Sequence, residues 1–119
     1  MVLVDTSVWI DHLRNFTPDL VHLLESEEVL THPYILGELA CGTLQNRQDL
    51  LSNLGKLPTV PVASDAEVLE LIESNALMGR GVGYLDMHLL ASLRLAVDVS
   101  LWTRDKRLSQ LASELSAAH

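Results

Sequence analysis

Four acids in this chain sit where apolar runs end or where an apolar helix face should continue. Asp5 closes the opening run "MVLV". Asp105 follows the last such run, "DVSLWT", across Arg104. Asp86 stands in the first turn of the segment after "RGVG", and Glu38 lies inside "PYILGELACG". Taken singly, an aspartate at a helix start is ordinary capping and dipole chemistry. Glu38 resists that explanation. Its helical-face neighbours are Tyr34, Ile35, Cys41 and Gly42, and a lone charge on an apolar face needs a partner or a metal. Four converging carboxylates would repel one another. Mg2+ or Mn2+, which take oxygen ligands, would relieve that repulsion. Such an ion can activate water for in-line attack on phosphorus, the chemistry of phosphodiester hydrolysis. Thr6, Ser7 and Thr103 are placed to hydrogen-bond the carboxylates and orient them. Read locally, the same three are equally well capping and turn hydroxyls.

The elements that must position these groups can be read from pattern. "MVLV" is too short for a helix and reads as a buried strand. Helical text follows from Thr6 to about Arg14. "NFTPDLVHLLES" begins another helix, with Thr17 as N-cap and Pro18 at the first helical position. "EEVLTH" is a short strand. Pro33 opens a helix carrying "PYILGELACGTL", and "NRQDLLSNLGKL" is a further helix ended by Gly55. The prolines of "PTVPV" confine any strand there to the periphery. "SDAEVLELIESNALMG" opens on a capping box, Ser64 with Glu67, and is ended by Gly79. After the loop "RGVG" come the apolar helix "YLDMHLLASLRLA", the strand "DVSLWT" and the amphipathic helix "RDKRLSQLASELSAA". Short apolar strands alternating with helices predict an α/β domain around a parallel sheet. In such sheets ligands gather outside the carboxyl ends of the strands. Asp5 and Asp105 should therefore project toward one edge, with Asp86 joining them from a helix start.

Composition bounds the function. The 119 residues suit one domain, residues 1–119, and 48% hydrophobic content can build a real core. No run is long enough to span a membrane and no basic region precedes Asp5, so a cytoplasmic protein is expected. A single cysteine, Cys41, excludes an internal disulfide and a multi-cysteine zinc site, and its apolar neighbours predict burial. Sixteen acids against eight bases give a net charge of −8, which repels nucleic acid over most of the surface unless acids are gathered and neutralised in a site. Alternatively, the surface suits a basic protein partner. Aromatic content of 4% argues against an extended base-stacking platform. Trp9 and Trp102 are expected in the core, and His88 in packing. "RDKR" sets Arg104, Lys106 and Arg107 around Asp105, a local basic spot that could hold the phosphates of a nucleic acid. Arg80 in "GRGVG" could do the same, although that loop lacks the lysine and hydroxyl of a P-loop.

"VLVDTSVWIDHL", "HPYILGELACG", "GRGVGYLDMHLLASL" and "LWTRDKRL" together resemble the PIN-domain ribonucleases, and among them the VapC toxins of bacterial type II toxin–antitoxin systems. The segments come in the family's order and span nearly the whole chain. The resemblance implies a PIN-like (Rossmann-like) three-layer α/β/α sandwich around a short parallel sheet. It implies a Mg2+- or Mn2+-dependent endoribonuclease whose acidic quartet is Asp5, Glu38, Asp86 and Asp105, with Thr6 or Ser7 and Thr103 as the nearby hydroxyls. It implies a cognate antitoxin whose basic tail suits an acidic partner, and a homodimer that pairs further with antitoxin. One position departs from the pattern: many members carry another acid two residues after the last aspartate, where Arg107 stands here. Two rivals are weighed against this reading. A phosphoacceptor receiver domain would want adjacent acids after the first strand, where Thr6 follows Asp5. A non-catalytic module of the same fold, binding protein through its acid surface, would have no need of all four acids.

Overall fold

The computed structural model describes residues 1–117 and 119. Three short strands, β1 (Val2–Val4), β2 (Val29–Leu30) and β3 (Ser100–Trp102), form a parallel sheet in the order β2-β1-β3. Val2 pairs with Val29 on one side and Ser100 on the other; Leu3 pairs with Leu30 and Leu101; Val4 pairs with Trp102. Successive strand side chains point to opposite faces. Val2, Leu3 and Val4 are all buried, so helices must cover both faces of the central strand, as parallel sheets require. Thr31 makes one parallel bridge with Thr59, which is the peripheral role the proline-flanked "PTVPV" predicts.

Among the described residues seven helices supply the cover: α1 (Thr6–Arg14), α2 (Pro18–Glu25), α3 (Pro33–Ala40), α4 (Arg47–Leu54), α5 (Asp65–Ser74), α6 (Tyr84–Leu95) and α7 (Lys106–Glu114). Helix α1 packs on α3 and α3 on α4; α5 packs on α6; α6 and α7 both meet β3. One core joins these elements, with Leu3, Val8, Leu20, Ile35, Leu90 and Leu108 wholly buried. None of the helices formed by the described residues is long and apolar enough to cross a membrane.

The pattern-based elements are all present, and most are shorter than their text suggests. The α5 capping box forms as expected: the Glu67 amide donates to Ser64 Oγ at 3.1 Å, and the Ser64 amide donates to Glu67 Oε1 at 2.9 Å. Its C-terminus does not run to Gly79. Ala76 takes the left-handed conformation (φ 51°), and the Leu77 amide returns to the Ile72 carbonyl at 3.0 Å. That turn drives Leu77 into the core at 1% exposed, so an apolar anchor ends the helix at a position glycine usually holds. Helix α7 stops at Glu114. The Leu101 amide donates to the Ala117 carbonyl at 2.6 Å and the His119 amide to the Leu101 carbonyl at 2.9 Å. The chain after α7 thus lies along the free edge of β3. Ala118, the last residue of the expected helix, is outside the described residues.

Candidate active site

The sheet order brings the carboxyl ends of β1 and β3 side by side. The Asp5 amide donates to the Trp102 carbonyl at 2.9 Å, which carries the ladder one step past β1. Asp5 is then fixed by its side chain. Its Oδ2 accepts from Ser7 Oγ at 2.7 Å, from Thr103 Oγ1 at 2.8 Å, and from the Ser7 amide at 3.4 Å. The last of these is an N-cap bond to α1. Asp5 is therefore a helix cap and also a buried charge, 6% exposed, with Oδ1 unbonded among the described residues. Multiple donors on one oxygen are what a buried carboxylate needs.

Thr103 ties the second acid to the first. The Asp105 amide donates to Thr103 Oγ1 at 3.1 Å. The Arg104 amide donates to Ser7 Oγ at 2.9 Å, and the Ser7 and Thr103 hydroxyls lie 3.2 Å apart. Asp105 itself caps α7: its Oδ1 accepts from the amides of Arg107 at 2.9 Å and Leu108 at 3.1 Å. Glu38 comes from α3, whose contact with α1 places its Oε1 3.0 Å from Thr6 Oγ1, which donates to it. Thr6, Ser7 and Thr103 thus hold carboxylates, and Ser7 and Thr103 bridge chain ends as well.

Asp86, in the first turn of α6, is half-buried and has no hydrogen-bond partner among the described residues. Its carboxyl is pushed up from 3.8 to about 6, first by burial, then by the charges of Asp5, Glu38 and Asp105 in that order. Four acids from four separate elements therefore act on one another. No group of three or more His, Cys, Asp or Glu residues among the described ones is placed to hold a metal ion through those side chains alone. The mutual repulsion and the open spacing are compatible. The donors are all hard carboxylate oxygens, with at least one on each acid unbonded among the described residues. Mg2+ prefers such a set, because it keeps several waters and takes only one or two carboxylates directly. The residues fit a hydrated divalent cation and do not fit a closed zinc-type site.

Two expectations need correction. Glu38 is exposed and shares a surface with exposed Gly37 and Cys41, because the short helix buries only Ile35 and Leu39. Cys41 is thus not a core residue. Trp102 is only half-buried; it lies at the last position of a strand whose outer side chains, Ser100 and Trp102, share one incompletely covered face. Trp9 is in the core as expected, at 4% exposed.

The basic residues are placed unevenly. Arg104 makes an ion pair with Asp11 at 3.3 Å, and its guanidinium lies 5.4 Å from the Trp102 ring centroid. Arg107 packs against the loop at Gly81, where a Cβ would approach its Nη1 to 2.6 Å; this glycine also has φ of 78°. Lys106 is exposed and has no ion pair among the described residues. Arg80 is committed elsewhere: its Nη1 donates to Glu114 Oε1 at 3.0 Å, at the far end of α7. That is about 13 Å along the helix from Asp105, at 1.5 Å per residue.

A strap behind the acids had no signal in the sequence. Asp65 Oδ1 accepts from Tyr84 Oη at 2.8 Å and lies 3.0 Å from His88 Nε2. Tyr84 and His88 flank Asp86 on α6. His88, 2% exposed, also stacks edge-on with Tyr34 and Tyr84 at 4.8 and 4.9 Å. His32 is wholly buried, and its Nδ1 accepts the Tyr34 amide at 3.0 Å as the N-cap of α3. Burial and the neighbouring His88 lower its pKa to about 4, so it stays neutral and keeps that acceptor. The helix of Glu38 and the helix of Asp86 are thereby joined through aromatic rings.

The family model for the PIN domain matches residues 2–114. With the parallel sheet and the acids gathered at its carboxyl edge, this places the chain in the PIN-domain family. The chain is similar to Ribonuclease VapC32 of Mycobacterium tuberculosis, in two strains of that organism. It is 45% identical to each over 118 residues, covering 99% of this chain and 95% of the relative.

Proposed function

We propose that this chain is a metal-dependent endoribonuclease, the toxin of a type II toxin–antitoxin pair. In this reading residues 1–119 work as one PIN domain, and Asp5, Glu38, Asp86 and Asp105 are the acidic quartet. The observation that carries the reading is the convergence of four acids from separate elements: Thr103 bonds Asp5 and accepts the Asp105 amide, Thr6 of the adjoining helix bonds Glu38, and Asp86 is half-buried with no hydrogen-bond partner among the described residues. The upward push on the Asp86 carboxyl accords with it. A half-buried carboxylate opposed by three like charges has little structural use, but it suits a cation site. The relative's printed name, a ribonuclease of the VapC group, supports RNA as the substrate.

Within this reading each residue has a definable task. The four carboxylates would hold Mg2+ or Mn2+, which when bound supplies positive charge at the scissile phosphate and a water of lowered pKa. Ser7 and Thr103 fix Asp5 through Oδ2, which leaves Oδ1 without a partner among the described residues. Thr6 orients Glu38 in the same way. The amides that Asp105 caps lock its Oδ1 and leave Oδ2 uncommitted. Lys106 and Arg107 lie in the first turn of α7 beside Asp105 and offset the negative field for an incoming phosphate. Attack by water leaves 3′-hydroxyl and 5′-phosphate ends. RNA of defined shape, such as a folded loop, fits a chain with few aromatic residues. A basic antitoxin tail would complement the net charge of −8, and pairing of two toxin copies accords with the family.

The experiment that separates an enzyme from a binding module is Asp86→Asn assayed for RNA cleavage beside its circular dichroism spectrum. Lost cleavage with an intact fold supports the enzyme. Undiminished cleavage removes Asp86 from the site. Cyclic phosphate ends on the product would instead mean attack by the 2′-hydroxyl of the RNA and would refute the water mechanism.

A further inference from the structure

On the incompletely covered face of β3 lies a groove of about 390 Å³ lined by Asp19, His22, Leu23, Trp102, Arg104 and His119. We propose that this groove is a nucleobase subsite, in which one unpaired base of the RNA stacks on the Trp102 indole while Arg104 meets its phosphate. The proposal rests on the ribonuclease reading and extends it to how the substrate is held.

Three observations converge on a base rather than a generic apolar ligand. The first is the aromatic platform. Trp102 is half-buried in a chain where Trp9, its only other tryptophan, is in the core. Its ring is flanked by cationic or polarisable groups: the Arg104 guanidinium at 5.4 Å and the His119 ring at 5.6 Å, tilted by 46°. An indole beside a guanidinium is the arrangement that holds bases in single strands, through stacking and cation–π attraction. The second is continuity with the acids. The Trp102 carbonyl accepts the Asp5 amide, and the Arg104 amide donates to Ser7 Oγ. The groove residues Trp102 and Arg104 thus share one short piece of backbone with Asp105 and are hydrogen-bonded to the segment that carries Asp5. The third is the lining. Asp19, His22 and His119 supply acceptors and donors at the groove wall, which suits a base edge and not a purely apolar side chain. Among the described residues the ion-pair partner of Arg104 is the exposed Asp11, and such surface pairs exchange readily for a phosphate.

The test uses the full chain in two arms. In the first, Trp9→Phe leaves Trp102 as the sole tryptophan, and its emission is followed in chelator during titration with a single-stranded RNA hexamer. A second titration uses a hexamer of the same length that is abasic at every position. The proposal predicts saturable quenching by the RNA, and about tenfold weaker binding without quenching by the abasic strand, given the usual strength of base–aromatic stacking. Equal responses to the two strands, or none to either, overturn it. In the second arm, Trp102→Leu raises KM for RNA cleavage about tenfold and leaves kcat within about threefold, while Trp102→Phe restores KM. A Trp102→Leu enzyme with wild-type KM refutes the subsite and leaves the ribonuclease reading standing. If the wild-type chain cleaves no RNA, that reading fails, and the fluorescence arm still decides whether the groove takes a base.

Discussion

Replacing Asp86 with asparagine should stabilise the metal-free protein at neutral pH, although the same change should abolish activity. The folded chain raises this carboxyl from 3.8 to about 6, through burial and the charges of Asp5, Glu38 and Asp105. A folded-state pKa above the unfolded value means that folding is favoured while the group is protonated. That contribution is complete below about pH 3.8, and it is lost as pH rises through about 6. At pH 7.5 the ionised form costs at most about 3 kcal/mol, at 1.36 kcal/mol for each tenfold change in proton affinity. Asparagine keeps the shape and removes the charge. An unfolding entropy near 2.1 cal/mol/K per residue gives roughly 0.25 kcal/mol/K for 119 residues. The full electrostatic cost then corresponds to roughly 12 °C, and partial solvent access to a half-buried group brings the expected rise in Tm to about 6–12 °C. The assay is thermal unfolding of wild type and Asp86→Asn in chelator, at pH 7.5 and at pH 4. The difference should be large at the first and small at the second. A variant no more stable than wild type at pH 7.5, or one with the same gain at both pH values, would refute the picture of four acids held together against their own repulsion.

Other consequences are open to the same kind of measurement. Thr103→Val removes the 2.8 Å bond to Asp5 and the acceptor of the Asp105 amide. It should lower stability by about 1–3 kcal/mol in denaturant titrations and weaken Mg2+-induced stabilisation. Asp65→Ala leaves Tyr84 and buried His88 without their shared acceptor. It should lower the Tm, while Asp65→Asn, which keeps an acceptor oxygen, should recover most of the loss. Arg80→Ala should change neither the Tm nor the KM for RNA measurably, because Arg80 is spent on an exposed pair with Glu114 far from the acids. By contrast, Lys106→Ala should raise KM and flatten its salt dependence.

The strand–helix alternation and the acids at the sheet edge were legible because they rest on local, periodic signals. "MVLV" is apolar on both strand faces, which a covered parallel sheet requires. Asp5 and Asp105 looked ambiguous between cap and site; each does cap its helix through one oxygen and leaves the other without a partner among the described residues, which is what the proposed site requires. What the sequence hid depends on contacts between distant residues. The alliance of Asp65 with Tyr84 and His88 joins two helices that run side by side, and nothing near Ser64 marks that aspartate as more than a first-turn acid. Cys41 seemed buried, and Glu38 set on an apolar face, because their helix is rich in apolar residues, yet α3 is short and turns only Ile35 and Leu39 inward. Ala76 stands in a left-handed turn that pattern assigns to glycine, because burial of Leu77 outweighs the local strain. Trp102 is tied to the core through its backbone and half-open through its ring, a division that hydropathy cannot express.

The central claim is tested most directly by incubating the purified chain, stripped of any bound partner, with total cellular RNA. The reaction is run with Mg2+ or Mn2+, then with excess chelator, and beside Asp5→Asn. The account predicts discrete fragments with 5′-phosphate ends that disappear with chelator and with the substitution. Fragments that persist in either control, or no cleavage by a folded chain in the presence of the metal, would contradict it.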